Sequence, residues 1–236
     1  MMGSWVVDAP GLSLKRALEV VSAQGWFSER SAQTRSVLAE IAKLRSFAKS
    51  DFVFLVGDRP NGMFGLVSGS LSLSIPRGDG EDYVIHRAAT GFWIGDLALF
   101  ADHNRIVSVR AGEPTVMVHL CASDLKKLVA RNPSLYADFY ALTYENSRTL
   151  MQIISNLAIP SSDKRLADRL LLELDTRGDE EGWIPASQPE LANLAAMSLP
   201  TLRRVLQRFA AASLIEQRYG HIQVLDREAL NRVRRD

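Results

Sequence analysis

Residues 187–209 have the sequence SQPELANLAAMSLPTLRRVLQRF, which predicts two short helices separated by a tight turn. Leu191 and Leu194 recur at the helical interval and give the first helix one buried face. Ser187 followed three residues later by Glu190 is the pattern of a capping box, which marks the start of that helix. The second helix carries arginines, whereas the first carries none. An apolar helix followed by an arginine-bearing one is the outline of a helix-turn-helix, whose second helix enters the DNA major groove.

Single residues set the limits and faces of the second helix. Ala196 and Met197 fill the turn. Ser198 is a suitable N-cap, and Pro200 fits the first turn, where its missing N–H costs little. The predicted buried stripe contains Leu202, Val205, Leu206 and Phe209. Arg and Gln contact base edges and phosphates, and the side chains left outside the stripe are Thr201, Arg203, Arg204, Gln207 and Arg208.

A short strand, a glycine turn and a second strand follow at residues 214–216, 218–221 and 222–224, which predicts a small β-wing. Without a wing, an ordinary helical hairpin with solvated arginines would explain the pattern; the wing favours DNA binding. Between residues 198 and 221 four arginines stand against one acidic residue, so the basic charge is local. The predicted DNA contacts, with the first two expected at phosphates, are Ser187, Gln188, Ser198, Thr201, Arg203, Arg204, Gln207, Arg208 and Arg218.

The composition of the 236-residue chain is ordinary for a soluble globular protein, with 47% hydrophobic and 23% charged residues and a net charge of +1. No apolar run approaches about 18 residues, and the N-terminus lacks the pattern of a secretory signal, so we expect a cytoplasmic protein. The single cysteine, Cys121, fits a reducing compartment. No nucleophile–base constellation and no metal-ligand spacing is evident, so we predict no catalytic residue, no metal site and no enzyme activity.

Short β-rich segments between residues 51 and 119 predict an antiparallel sandwich or roll. Glycine-containing turns separate them at intervals of about 8–12 residues. The predicted strands are residues 52–56, 63–67, 70–75, 83–86, 106–110 and 115–119. The preceding residues 12–46 are predicted to be helical from the spacing of Leu14, Leu18, Val21, Val37, Leu38, Ile41 and Leu44.

A long helix is predicted from Asn132-Pro133 to about Leu157, with two neighbouring stripes. The first holds Leu135, Phe139, Leu142, Asn146, Thr149 or Leu150, Ile153 and Leu157, and the second holds Tyr136, Tyr140, Thr143, Ser147 and Ile154. One stripe is expected to pack on the roll and the other on a second copy, giving a homodimer through residues 134–157 in which Asn146 sets the register. The alternative is a monomeric helix buried on its own domain. Residues 158–162 break the helix and form the predicted hinge.

The order of roll, long helix, hinge and winged helix-turn-helix resembles the Crp/Fnr family over about residues 26–226. The resemblance rests on GLVSGSL at 65–71, GFWIGDLALF at 91–100, Arg105 ahead of residues 109–111, and the helix-turn-helix at 187–209, here called the reading head, with its linker at 213–215. It implies an α+β fold with an antiparallel jelly-roll-like β-roll, a dimerisation helix and a C-terminal winged helix-turn-helix. We predict N-terminal helices and a sensor roll at 1–131, the dimerisation helix and hinge at 132–160, and the DNA-binding domain at 161–236. The implied function is a homodimeric transcription regulator that binds a pseudo-palindromic operator and RNA polymerase.

The effector pocket implied by the resemblance departs from the pattern of cyclic-nucleotide binders. In those proteins a Gly-Glu-Leu turn holds the ribose, and an Arg-Ser or Arg-Thr pair holds the cyclic phosphate. This chain has Asp96 in place of the glutamate, keeps Arg105, and has Ile106, which cannot donate to an anion, in place of the hydroxyl residue. The candidate pocket residues are Gly95, Asp96, Leu97, Ala98, Arg105, Ile106, Leu150 and Met151.

The effector itself is not identified by these residues. Cyclic AMP is not favoured, although a cyclic-AMP-responsive regulator remains one alternative and a ligand sensor acting mainly through protein partners another. Arg105 has a structural interpretation as well, paired with Asp96 or Asp102. An iron–sulfur cluster needs about four thiolates, which a single cysteine does not supply. A haem would need His86 or His119 as its ligand and is not favoured either.

The recognition helix also departs from the family. Leu199 and Pro200 stand where the family commonly has an arginine and a glutamate that contact bases, whereas Arg204 matches the later base-reading arginine. The operator is therefore expected to differ from that of the cyclic-AMP receptor.

Overall fold

The computed structural model describes residues 12–78, 80 and 82–235. The chain divides into two compact units. The first comprises Met1–Tyr83 and Arg87–Arg148, and the second comprises Val84–His86 and Thr149–Asp236. The first unit contains most of the β-roll, and the second contains the helix-turn-helix.

The first unit begins with helical segments that end earlier than the sequence predicts. Helix α1 is Leu14–Val21, a 3₁₀ turn is Trp26–Glu29, and α2 is Ala32–Glu40. The predicted helix over residues 12–46 is wrong at its end, because Ala42–Phe47 forms strand β1 and pairs with β8 (Thr115–Cys121). The pairing partners of this strand are 68 to 78 residues away in the sequence, and helical spacing cannot detect them.

The roll consists of two four-stranded sheets, which confirms the predicted architecture. One sheet has the strand order β1-β8-β3-β6 and the other β2-β7-β4-β5, and the pairs with a recorded register are antiparallel. The remaining strands are β2 (Phe52–Phe54), β3 (Gly62–Ser68), β4 (Leu71–Pro76), β5 (Asp82–Ala88), β6 (Trp93–Ile94) and β7 (Ser108–Ala111). Strands β1 and β6 were not predicted. The two residues of β6 are too few for any periodicity to reveal.

Three helices complete this part of the fold: α3 (Asp96–Phe100), α4 (Ala122–Arg131) and α5 (Leu135–Leu157). An aromatic cluster forms the centre of the apolar core, and its members are Trp26, Phe27, Trp93 and Phe139. Leu135, Phe139 and Leu142 of α5 are buried in that core. The first predicted stripe of α5 therefore packs on its own unit in this half of the helix. Tyr136, Tyr140 and Tyr144 are exposed.

The second unit contains the predicted helix-turn-helix and wing, which confirms that part of the fold. Its elements are α6 (Ser162–Arg177), β9 (Trp183–Pro185), α7 (Gln188–Leu194), α8 (Leu199–Ala211), β10 (Ile215–Arg218), β11 (His221–Val224) and α9 (Arg227–Arg235). The strands form one sheet in the order β10-β11-β9. Strand β9 was not predicted, because three residues ending in proline give little β signal.

The break between α5 and α6 is present where the sequence predicts it, and side-chain hydrogen bonds span it. Asn156, which is 1% exposed, donates through Nδ2 to the Arg165 carbonyl at 3.0 Å and to Asp168 Oδ2 at 2.8 Å. In the other direction Arg165 Nη1 donates to the Ile159 carbonyl at 2.8 Å. The end of α5 is therefore bonded to α6 through Asn156, and the linker between them is bonded to α6 through Arg165. A hinge movement at this point stays a prediction.

Candidate DNA-reading surface and effector region

The two helices of the reading head begin at serine caps. Ser187 Oγ accepts from the Glu190 backbone N–H, and the Glu190 side chain accepts from the Ser187 N–H at 2.9 Å, so the predicted capping box is present. Ser198 Oγ accepts from the Thr201 backbone N–H at 3.3 Å. Each of these two serine hydroxyls therefore caps a helix. Contact of either serine with DNA stays a prediction.

The angle between α7 and α8 depends on Ala196, which adopts a positive φ of 47° just after α7. A left-handed backbone conformation is costly for a residue with a Cβ. Packing of the helices on both sides of Ala196 offsets this cost. Leu191 and Leu194 of α7 are buried. The predicted stripe of α8 is buried in the same core and consists of Leu202, Val205, Leu206 and Phe209. The opposite face of α8 is left for solvent or a partner.

A chain of hydrogen bonds to neutral amide acceptors joins three elements on the exposed side. Arg203 Nε of α8 donates to Gln188 Oε1 of α7 at 3.2 Å. Gln188 Nε2 donates to Gln217 Oε1 of the wing strand β10 at 3.3 Å. The hydrogen bond uses Nε of Arg203 and restrains the orientation of the guanidinium. The charge and the two Nη groups stay available for DNA.

The four arginines of this surface have two kinds of partner. Arg203 contacts an amide, and Arg204 Nη2 lies 3.5 Å from Thr201 Oγ1; within residues 12–78, 80 and 82–235 neither forms an ion pair. Arg208 instead forms a two-point ion pair with the Asp163 carboxylate. Arg218 Nε pairs with Glu216 Oε1 at 3.0 Å, and its guanidinium lies over the Trp183 ring at 4.5 Å. The basic patch is therefore concentrated at Arg203 and Arg204.

The tip of the wing carries an aromatic residue that the sequence reasoning missed. Tyr219 is fully exposed, and the neighbouring Gly220 adopts a φ of 72° in the turn. The sequence could have indicated this exposed ring, because a tyrosine beside a glycine in the turn between two strands has no core on which to pack. It is the sequence neighbour of Arg218.

In the candidate effector region, Asp96 is bound to the chain itself. Gly95 has a φ of 113° at the start of α3, and Asp96 directly after it is 2% exposed. Its carboxylate accepts from the Thr143 hydroxyl and from Asn146 Nδ2 at 3.4 Å. Asn146 Nδ2 also donates to the Trp93 carbonyl at 3.2 Å. Burial raises the pKa of Asp96 from its ordinary value of 3.8, against the effect of these hydrogen bonds.

These contacts correct one expectation for α5. Asn146 does not fit a register-setting residue of a dimer seam, because its amide is bonded to Trp93 and Asp96 within the first unit. Asn146 lies between the buried and exposed faces of the helix. Spacing alone could not assign such a residue to either face.

Arg105 is buried, 3% exposed, and bound to neutral acceptors. Nη1 donates to the Gly95 carbonyl at 3.0 Å, and Nη2 donates to Asn61 Oδ1 at 3.1 Å and to the Gly62 carbonyl at 2.7 Å. Burial lowers its pKa to about 10, although nearby carboxylates raise it. Of the two carboxylates predicted as structural partners, Asp96 interacts with Arg105 electrostatically and raises its pKa, without a hydrogen bond between them. Asp102 pairs with Lys126 at 3.2 Å.

The side chains of the other candidate pocket residues carry no donor for an anion. Ala98 is buried, whereas Leu97 and Ile106 are 49% and 61% exposed. Leu150 and Met151 are exposed on α5 and belong to the second unit. Both Arg105 Nη groups donate to oxygens of the chain, and the Asp96 carboxylate accepts from Thr143 and Asn146, so these groups are already hydrogen-bonded within the protein, whereas Arg105 Nε has no partner among the described residues.

The residues considered for a metal or haem are engaged in packing or local bonds. His119 stacks on Phe64 with ring centroids 4.5 Å apart, and burial lowers its pKa to about 4. Burial likewise lowers the pKa of His86 to about 4. Cys121 Sγ lies 3.4 Å from the Ser123 hydroxyl, which lowers the pKa of the thiol. Among the described residues no group of three or more His, Cys, Asp or Glu side chains could hold a metal ion.

Two family models match separate parts of the chain. Residues 44–132 match the cyclic nucleotide-binding domain, and residues 164–233 match the Crp-like helix-turn-helix domain. No helix in the described part of the chain is long and apolar enough to cross a membrane.

Individual relatives are distant but cover most of the chain. The transcriptional activator protein anr of Pseudomonas aeruginosa is 26% identical over 200 residues, which are 80% of this chain and 80% of the relative. The cAMP-activated global transcriptional regulator CRP of Escherichia coli O157:H7 is 23% identical over 164 residues, which are 67% of this chain and 78% of the relative. The structure of FixK2 from Bradyrhizobium japonicum superposes with a TM-score of 0.74 at 16% identity, covering 82% of this chain and 97% of that one. This structural likeness concerns the fold.

Proposed function

The chain belongs to the Crp/Fnr family of DNA-binding transcription regulators, and from that membership we propose that it acts as a homodimer on a pseudo-palindromic operator, without a cyclic nucleotide as its effector. The proposal is for a regulator and not an enzyme. The observation that carries it is the exposed face of α8, where Arg203 and Arg204 keep uncompensated charge beside a wing. Each dimer would place two such helices in major-groove half-sites about 34 Å apart.

The proposed division of labour on the DNA follows from the partners of each side chain. Arg203, Arg204 and Thr201 stand at the first turns of α8, whose N-terminal residues contact base edges in this motif. Gln207, Arg208 and Arg218 would contact phosphates or neighbouring bases. Ser187, Gln188 and Ser198 would contact phosphates from the helix N-termini, where backbone N–H groups also face the anion.

Homodimerisation is proposed through the exposed stripe of α5. Tyr136, Tyr140 and Tyr144 are 55%, 74% and 63% exposed, and Met151 and Ile154 continue the stripe at 61% and 50%. Apolar side chains at intervals of three, four and seven along one helix are the pattern of a helix–helix seam. A monomer rarely leaves so many large apolar side chains in water along one line.

The remaining elements of the proposal concern location and partners. The sensor segment at 1–131, the dimerisation helix and hinge at 132–160 and the DNA-binding domain at 161–236 are kept as the proposed division. A regulator of DNA must reach the chromosome, so we place it in the cytoplasm. RNA polymerase is the proposed protein partner, because activator and repressor alike act on its access to a promoter.

The experiment that tests the proposal is selection of duplexes from a random-sequence library by the purified full-length protein, without added nucleotide. We expect enrichment of an inverted repeat whose half-sites are centred about 10 base pairs apart. No enrichment under these conditions would contradict the proposal and favour a ligand sensor that acts through protein partners. Enrichment only after addition of cyclic AMP would favour the cyclic-AMP-responsive alternative.

A further inference from the structure

The Arg208–Asp163 pair distinguishes one arginine of the reading surface from its neighbours. Arg208 Nε donates to Asp163 Oδ2 at 3.2 Å, and Arg208 Nη2 contacts Asp163 Oδ1. The guanidinium therefore presents two parallel donors to two carboxylate oxygens, the arrangement that arginine also uses with phosphate. The pair remains accessible, with the Arg208 and Asp163 side chains 55% and 38% exposed.

The elements that carry the two residues make this contact selective. Asp163 lies in the first turn of α6, which Ser161 caps, and Arg208 lies near the end of α8. Both helices belong to the same core, so the carboxylate is held at a fixed place beside the surface that would meet DNA. Arg203 and Arg204, one to two turns earlier on α8, bond to Gln188 and Thr201 and contact no carboxylate of the residues that the structure describes.

We propose that Asp163 is an internal competitor for DNA phosphate, whose carboxylate occupies Arg208 in the free protein and is displaced when Arg208 binds the DNA backbone. The inference rests on the proposed function. Because a phosphate is the same at every base pair, the competition lowers affinity for all sequences equally and leaves base preference unchanged. Asp163 thereby limits the binding of the regulator to random DNA at the cost of some affinity for its operator.

The test compares the Asp163→Asn variant with the wild-type protein by fluorescence anisotropy on the selected operator and on a scrambled duplex, over a series of salt concentrations. Asn keeps the size and removes the charge. We expect Asp163→Asn to tighten binding to both duplexes by about 3- to 10-fold at low salt. We also expect the slope of log K against log salt to steepen by about one per protomer, because one more arginine is available to release counterions.

The matched control is Asp175→Asn. Asp175 forms an exposed pair with Arg227 at 2.7 Å and lies about 18 Å further along the same helix. Asp175→Asn removes the same charge from the same domain. An equal gain in affinity from this substitution would show a general charge effect and overturn the proposal.

The double variant Asp163→Asn/Arg208→Ala separates competition from direct repulsion. If Asp163 acts through Arg208, the gain disappears when Arg208→Ala is the background. A gain that persists there would mean that Asp163 repels DNA by itself, and a gain confined to the operator would mean that Arg208 contacts bases; either result overturns the proposal. Equal affinities of Asp163→Asn and the wild-type protein would do so as well. Failure of the wild-type protein to bind any selected duplex would instead contradict the proposed function.

Discussion

The guanidinium carbon of Arg105 lies 4.1 Å from the centroid of the Phe54 ring. This stacked contact and three hydrogen bonds to neutral acceptors fix a residue that in cyclic-nucleotide binders would face the ligand phosphate. The arginine instead ties Gly95, Asn61 and Gly62 together at one end of the roll. Its first task is therefore to hold the β-roll in shape.

The first prediction is that Arg105→Ala destabilises the fold. Removal of the guanidinium leaves two buried carbonyl oxygens without donors and opens a cavity beside Phe54. We expect the free energy of unfolding to fall by about 2–4 kcal/mol, measured by urea denaturation without ligand.

The control for this prediction is Arg110→Ala. Arg110 also lies over an aromatic ring, that of Phe52 at 5.6 Å, but it is exposed. We expect a loss below about 1 kcal/mol there. A stable Arg105→Ala protein that has lost the ability to bind a cyclic nucleotide would assign Arg105 to the ligand instead.

The second prediction concerns cyclic AMP. A ligand at 100 times its Kd stabilises the native state by about 2.7 kcal/mol, which a thermal melt detects easily. Since Arg105 and Asp96 are engaged within the protein, we expect the melting temperature to stay unchanged at millimolar cyclic AMP. A rise that saturates with concentration would contradict the prediction and restore the cyclic-AMP-responsive alternative.

The third prediction is a pH dependence at Asp96. Burial raises its pKa above 3.8 in the folded chain, so the folded state binds the proton more readily than the unfolded state does. Above pH 3.8 the contribution of this group to the free energy of unfolding therefore falls as pH rises toward the raised pKa. Relative to Asp96→Asn, the wild-type protein should gain stability as the pH is lowered from about 7 toward about 4, by at most about 1.4 kcal/mol per pH unit.

Urea titrations of the two proteins at several pH values measure this difference. Protonation of the buried His86 and His119 lowers the free energy of unfolding over the same acidic range. Because both proteins contain these histidines, their effect cancels in the difference. Asp102→Asn, at a side chain that is 88% exposed, is the control. Parallel pH profiles for Asp96→Asn and the wild-type protein would mean that the Asp96 carboxyl does not titrate differently on folding.

The fourth prediction assigns Arg204 to base recognition. Arg204→Ala should cost about 1–3 kcal/mol on the selected operator and less on random DNA. Arg232→Ala serves as the control, because Arg232 is an exposed arginine of α9 near Asp226. Binding titrations on both duplexes decide the matter: equal losses on operator and random DNA would mean that Arg204 contacts only phosphate.

The fifth prediction concerns the dimer. Tyr140→Glu places a charge in the middle of the exposed stripe of α5, once in each protomer, and should shift the protein to a monomer. Light scattering after size exclusion measures the mass, and operator binding should weaken at least tenfold because each half-site alone supplies about half the contacts. Ala130→Glu, at an exposed position of α4, should leave both unchanged. A dimeric Tyr140→Glu protein would move the interface elsewhere.

The reading head could be predicted in detail because its structure is encoded locally. Caps, a turn and a 3.6-residue stripe all lie within residues 187–209, and Ser187, Ser198 and Leu202 take the places that those patterns predict. Strands β1 and β6 could not be predicted in the same way, because their pairing partners lie far away in the sequence.

The side-chain partners in the candidate sites were the least predictable. Arg105 binds carbonyls of residues about 10 and 43 positions away, and Asn146 reaches Asp96 across 50 positions. Sequence identifies such residues as unusual but does not say which acceptor a buried donor will reach. The same holds for Arg208, whose acidic partner precedes it by 45 residues.

The cross-bracing of the α5–α6 junction has a mechanical consequence. Asn156 bonds the Arg165 carbonyl across the break, and Arg165 bonds the Ile159 carbonyl within it, so the junction of α5 and α6, here called the elbow, is braced by side chains. A rotation of the end of α5 about its own axis would therefore also move α6, because these hydrogen bonds couple the two helices. Because α6 shares its core with α8, the recognition helix would travel with it. The elbow is therefore a stiff transmission element through which a small twist in the long helix would become a displacement at the DNA.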